Sequence, residues 1–271
     1  MTIAIGILSE AEVIIATDSQ ETAANYWKRD EAKVRATSGP RGQIALAGAG
    51  HAGYVDALVC QVEGDFNNRE GTDLASARTC IQASLFRFYS THVVPFKDAS
   101  ELEVELLIGV CIPGEMPVLL KTNRATLTDC DVYAAIGVGA GHALPLLGHL
   151  TIRGGRELAH SLATAGYVIA ETKQSVADCG YYTDVAWLGW EATAESGFTE
   201  SFGWLHRPIG MDLDRLFHRY SENVQTHLAT CLFGGDVGMR EYAMKEFDEI
   251  RSAIMSLTTE AVERGTITRP A

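Results

Sequence analysis

Apolar residues run over positions 3 to 8 and 12 to 17, broken by Ser9-Glu10-Ala11, a pattern that predicts an opening β-hairpin with a short loop. A polar segment extends from Ser19 to Ala32. Lys33-Val34-Arg35-Ala36 and Gln43-Ile44-Ala45-Leu46-Ala47 then flank the turn Ser38-Gly39-Pro40-Arg41-Gly42, predicting a second hairpin that ends at Gly48-Ala49-Gly50. Beyond it Ala52, Val55, Leu58, Val59 and Val62 recur at helical spacing. Leu74, Ala77, Ile81, Leu85 and Phe88 mark one face of a second helix over about 73–92. Strands return at 104–112 and 118–122 around the turn Pro113-Gly114-Glu115-Met116-Pro117, and a third, 132–137, leads into a glycine-rich run at 137–141. Two helices near 141–150 and 155–174 precede a strand pair from about Tyr181 to Trp190. Strands that arrive as adjacent hairpins, in blocks separated by helix pairs, favour an α+β fold of antiparallel sheets layered with helices over a doubly wound parallel sheet. From Glu191 the pattern changes. Residues 191–210 look loop-like, helices follow at about 211–231 and 238–263, and no strand signal appears. The predicted division is a main domain over 1–190 and a helical C-terminal extension over 191–271.

Composition narrows the class more than the fold. An apolar content of 46% with 21% charged residues is that of a globular protein, and no apolar run reaches the length of about 18 residues that a membrane span requires. The N-terminus lacks the basic and apolar regions of a secretory signal, so a cytoplasmic protein is expected. A net charge of −13 argues against a nucleic-acid partner, which would call for a basic stripe. The six cysteines (Cys60, Cys80, Cys111, Cys130, Cys179, Cys231) form no CxxC pair and no metal-like spacing, as expected of reduced thiols in apolar stretches. The histidines show no His-x-x-x-His pattern. Gly137-Val138-Gly139 is not a phosphate loop, because no Lys-Ser/Thr and no acidic ribose partner follow it. Neither a metal nor a cofactor is expected.

The chemistry-bearing position is Thr2. Methionine is commonly trimmed when the next side chain is small, and trimming here would leave hydroxyl and free α-amine on one residue. With a pKa near 8, the amine is partly unprotonated at neutral pH and can serve as base for its own hydroxyl. Lys33 lies on the strand after the polar segment, where its ammonium beside Thr2 would favour deprotonation of the hydroxyl. Asp18 ends the neighbouring strand and would orient Lys33. Gly48 and Gly50 both allow a backbone N–H to point at a tetrahedral oxyanion, and the repeated Ala-Gly leaves either register open. Each residue alone also has a plain structural reading: Lys33 as a solvated strand charge, Asp18 as a turn former, Asp178 as a helix-end charge, the glycines as turns.

Taken together, these segments resemble the proteasome β-subunits and the bacterial HslV peptidase, within the N-terminal nucleophile hydrolases and with the Anbu type among the longer relatives. Thr2-Ile3-Ala4-Ile5-Gly6-Ile7 resembles the opening strand that begins with the catalytic threonine. Asp18-Ser19-Gln20-Glu21-Thr22 resembles the HslV pattern Asp-x-Gln-x-Thr, and Lys33-Val34 the catalytic lysine with its apolar neighbour. The segment from Ile44 to Ala52 resembles the glycine turn that supplies the oxyanion-hole amide, Tyr133 to Gly139 a strand-to-helix turn, and Asp178 to Thr183 the Asp-x-x-x-Tyr-Thr segment. The match spans roughly 2 to 190. It implies a four-layer αββα sandwich, a threonine peptidase using Thr2, Asp18, Lys33, Gly48 or Gly50, and Asp178, a peptide or protein substrate, and a homo-oligomer of ring-forming kind. Any unfoldase partner stays unknown. Val138 stands where active relatives carry a serine that bonds the terminal amine, and Tyr181 where many carry a second helper serine. The competing expectations are therefore a non-peptidase amidase or transpeptidase of the same class and an inactive proteasome-like structural subunit.

Overall fold

Two five-stranded antiparallel sheets organise the computed structural model, which describes residues 2–9, 11–22, 28–96, 104–151, 157–192, 198–205, 210–222 and 237–265. The strands are β1 (Ile3–Leu8), β2 (Glu12–Asp18), β3 (Gln20–Thr22), β4 (Lys28–Asp30), β5 (Val34–Gly39), β6 (Gly42–Gly50), β7 (Val104–Cys111), β8 (Val118–Asn123), β9 (Thr126–Cys130), β10 (Tyr133–Gly137), β11 (Thr183–Ala192) and β12 (Phe198–Trp204). The first sheet runs in the order β10-β1-β2-β11-β12 and the second β5-β6-β7-β8-β9, while β3 and β4 form a separate ribbon. Helices are α1 (Ala52–Asn68), α2 (Leu74–Phe88), α3 (Ala140–Thr151), α4 (Leu158–Ser175), α5 over 210–222 and α6 (Val237–Gly265).

The uninterrupted apolar runs of β1, β2 and β6 follow from burial on both faces. Alternation sorts their side chains. Ile3, Ile5 and Ile14 join Leu147, Leu162, Val168 and Ile169 of α3 and α4, whereas Ala4, Val13 and Ile15 meet Ala45, Ala47, Leu107 and Leu119 of the other sheet. Ile44, Leu46 and Ile108 face Leu58, Val62, Phe66, Ile81 and Leu85 of α1 and α2. Alanines interleaved with Val13, Ile15, Leu107 and Leu119 fill the layer between the sheets, while each sheet's other face anchors a helical layer.

The helices at the end of the chain share this core. Leu213 and Phe217 of α5 and Ile250 and Ile254 of α6 belong to the cluster built on α4. Two sequence expectations are corrected here. Residues 191–210 are not loop throughout: β12 pairs with β11 from Ala192↔Phe198 to Ala186↔Trp204. Its Phe202 and Trp204 pack against the inter-sheet cluster, a period-2 aromatic signal inside a polar stretch. The segment after Tyr181 is one strand, Thr183–Ala192, rather than a pair, because its partners are β2 and β12. The polar segment also contains β3 and β4, the second helix passes at Phe88 into a π-helical turn over Tyr89–Val93, and β9 extends the second sheet. The expected helix at 211–231 is observed to residue 222, and its remainder lies outside the described residues.

Candidate active site

The start of β1 is held by main-chain geometry. Ile3 pairs with Gly137 of β10, and the Thr2 carbonyl accepts from the Gly139 N–H at 3.5 Å. Gly137 has φ +86°, and a Cβ there would lie 2.3 Å from the Thr2 oxygen. Only glycine permits both the conformation and the approach. Gly137→Ala is therefore expected to cost about 2 kcal/mol of stability and to displace Thr2, read as a lowered urea midpoint; an unchanged midpoint would contradict this account. Thr2 is buried, and its hydroxyl has no hydrogen-bond partner among the described residues. Met1 lies outside them.

Beneath Thr2 sits Asp18, at the end of β2 and fully buried. Its Oδ1 accepts from the Ile3 N–H at 3.0 Å and from the Lys33 ammonium at 2.9 Å. Its Oδ2 accepts from the Gly180 N–H at 3.0 Å and from the Gln20 N–H at 3.3 Å. A buried carboxylate persists when its lone pairs are filled and a cation is paired with it, and both conditions hold here. Lys33 also donates to the Gln20 carbonyl. One carboxylate oxygen thus links the peptide that follows Thr2 to the Lys33 ammonium.

Thr2, Lys33, Gly48 and Gly50 line one cleft of about 550 Å³, together with residues of β3, β4 and the first turns of α1. Strand pairing separates the roles of the two glycines. The Leu106 amide is turned toward β8, where it donates to Thr122 Oγ1 at 2.7 Å. Its partner across β6–β7 is Gly48, so that pair exchanges no hydrogen bonds and the Gly48 N–H faces the β5 side. There the ladder has stopped at Val34↔Ala47, leaving the amide directed at the cleft. Gly50, two residues on, is exposed at the strand end with φ +121°.

Asp178 is half-buried and does not line the cleft. The contact from its loop comes instead from Gly180, through the amide that bonds Asp18. This loop is tied to the β3–β4 region: Ser19 N–H donates to the Tyr182 carbonyl, the Tyr182 N–H to Ser19 Oγ, and Lys28 Nζ to the Ala177 carbonyl. Between Asp178 and Gly180, Cys179 is buried, and burial, reinforced by the Asp18 charge, pushes its thiol up to about 12. It stays protonated at neutral pH and is no competing nucleophile. Val138 and Tyr181 are both about half exposed, Tyr181 at φ +59°.

Lys173 and Asp214 carried no sequence signal. Lys173 of α4 donates to the Tyr181 carbonyl and to Thr183 Oγ1, and pairs with Asp214 of α5 at 2.7 Å. Thr183 donates in turn to Asp214 at 2.7 Å. The C-terminal helices therefore brace the loop that reaches Asp18, a link between residues far apart in sequence. No group of three or more metal-ligating side chains occurs among the described residues.

The antiparallel α+β fold that positions this cleft is similar to that of solved Anbu structures. A Gly-1 mutant of Anbu from Hyphomicrobium sp. strain MC1 aligns with TM-score 0.64 and 15% identity over 84% of this chain and 97% of that one. Anbu from Yersinia bercovieri, described as an ancestral β-subunit, aligns with TM-score 0.64 and 16% identity over 84% and 97%. Anbu from Pseudomonas aeruginosa, solved as a helical assembly of the Anbu complex, aligns with TM-score 0.65 and 13% identity over 83% and 95%. No family model and no curated protein sequence matches the chain.

Proposed function

We propose that this chain is an N-terminal threonine peptidase of the proteasome and HslV kind, with a four-layer αββα order whose first sheet is completed by β12, a helical extension beyond that strand, and assembly as a cytoplasmic homo-oligomer. The observation that carries the reading is the shared Asp18 oxygen, which holds both the Lys33 ammonium and the peptide following Thr2 at the edge of a cleft. Once Met1 is removed, the Thr2 amine takes the hydroxyl proton as Oγ1 attacks a substrate carbonyl. The Lys33 ammonium lowers the cost of the alkoxide, and the Gly48 N–H accommodates the oxyanion, a donor worth about 3 kcal/mol of barrier. Collapse of the tetrahedral intermediate expels the amine with the proton from Thr2, leaving an ester that water then hydrolyses. Asp18 orients Lys33, while Asp178, which does not line the cleft, takes no part in these steps. Gly50 shapes the turn that follows Gly48.

The test is chemical. An electrophile directed at N-terminal threonine should leave one adduct, located by peptide mass mapping at Thr2, on a chain whose intact mass shows loss of Met1. Retained Met1 with no adduct would favour the structural-subunit reading, whose specific support is the apolar Val138 at the mouth of the β10–α3 turn. A non-peptidase amidase would take the adduct yet cleave small amides and no peptide. Native mass measured at micromolar concentration should exceed the 29.3 kDa of one chain, since a hydrolase with an open cleft needs neighbours to hide it; a purely monomeric species would contradict the assembly.

A further inference from the structure

The cleft lining carries three permanent cations and three carboxylates, Glu21, Glu31 and Asp56, and two further carboxylates outside the lining, Asp18 and Glu63, hold two of those cations, so the balance at the cleft is acidic. Arg29 pairs with Glu21 at 2.9 Å, Lys33 with Asp18 at 2.9 Å, and Arg35 with Glu63 at 3.6 Å, so each permanent cation of the lining is already engaged. Glu31 and Asp56 line the same cleft and form no ion pair among the described residues. Both carboxylates line the cleft together with Arg29, whose guanidinium their charges help to hold protonated, although one precedes β5 and the other sits on α1. The backbone fixes Glu31, whose N–H donates to the Ser19 carbonyl at 2.9 Å. The same lining includes the small apolar side chains of Ala49, Ala52, Val55 and Val59.

Resting on the threonine peptidase reading above, we propose that this cleft selects substrates with a lysine or arginine side chain beside the bond that is cleaved. Such side chains have an apolar stem and a charged head, and they lie along apolar surface while the head reaches a polar rim. Here the alanines and valines receive the stem, and Glu31 and Asp56 receive the head. An acidic side chain would meet the same two carboxylates and be repelled, which is the other half of selectivity. A neutral side chain would gain the apolar contact alone. Both acids are exposed, so each contributes modestly, roughly three- to fivefold in kcat/KM, and the preference should shrink as ionic strength rises.

Peptides identical except for Lys, Arg, Gln, Leu or Glu on either side of the scissile bond provide the test, with the full chain as enzyme. Lys and Arg peptides should exceed the Gln peptide by roughly tenfold in kcat/KM at low salt, with the Glu peptide poorest. Glu31→Gln and Asp56→Asn should each lower the Lys-to-Gln ratio, and the double variant should bring it close to unity. Equal rates for Lys and Gln, or a ratio untouched in the double variant, would overturn the selectivity while leaving the peptidase reading standing. Binding of the same peptides to Thr2→Ala, followed by fluorescence anisotropy, separates the two ideas. A Lys preference there without turnover by the native chain would sink the peptidase and sustain the cleft's selectivity, whereas no preference in binding would sink the selectivity itself.

Discussion

Thr2→Ala is expected to lower peptide turnover by about 10⁴-fold or more while leaving the unfolding midpoint almost unchanged. The two halves of that expectation come from different features. Turnover collapses because the hydroxyl is the proposed nucleophile, and Cys179, on the loop that reaches Asp18, is buried and stays protonated. Stability holds because the links that fix this residue are main-chain ones, the Thr2 carbonyl to Gly139 and the Ile3 amide to Asp18, and alanine keeps both. Thr2→Ser keeps hydroxyl and amine and should retain a measurable fraction of the rate. Lys33→Ala should be nearly as damaging as Thr2→Ala, and the pair together no worse than either alone, because members of one catalytic unit do not add. Steady-state assays on the three variants, with circular dichroism melts beside them, decide the matter. Wild-type turnover in Thr2→Ala would end the proposal.

Much of the site was legible in the sequence because it is carried by local pattern. Thr2, Asp18, Lys33 and Gly48 each lie on or beside a hairpin whose apolar alternation is strong, and those hairpins form where the pattern places them. The rest depended on pairings between distant segments. Nothing in the sequence near Asp214 points to Lys173, since their meeting follows from α5 docking on α4. Gly48 and Gly50 are equivalent in the motif, and only the direction of the Leu106 amide separates them. β12 has a polar sequence that reads as loop, although Phe202 and Trp204 pack against the inter-sheet cluster at the sheet edge. Asp178 looked like the acid of its segment, but the contact with Asp18 is made by the Gly180 backbone, which any sequence could supply.

Asp18→Ala should be the most destabilising single change in the site, costing about 3–5 kcal/mol. The carboxylate is wholly inaccessible and has the Ile3, Gln20 and Gly180 amides and the Lys33 ammonium as donors. Alanine would leave the Ile3 and Gly180 amides without this acceptor, and the largest part of the cost is the ammonium, whose side chain is only 11% exposed and would keep the Gln20 carbonyl but lose the Asp18 charge. Measured against a typical domain stability of about 5–15 kcal/mol, such a loss is a large share of the total. Asp18→Asn preserves the shape but sets an amide NH₂ against donors that need an acceptor, so a cost of about 1–3 kcal/mol is expected. The double variant Asp18→Ala/Lys33→Met distinguishes a charge effect from a packing effect. Removing both charges abolishes the unpaired ammonium, so the double variant should be more stable than Asp18→Ala alone, with a coupling of about 1–3 kcal/mol in urea unfolding. Simple additivity of the two single changes would mean that Lys33 does not depend on Asp18 for its burial, and the proposed orientation of the lysine toward Thr2 would lose its physical basis.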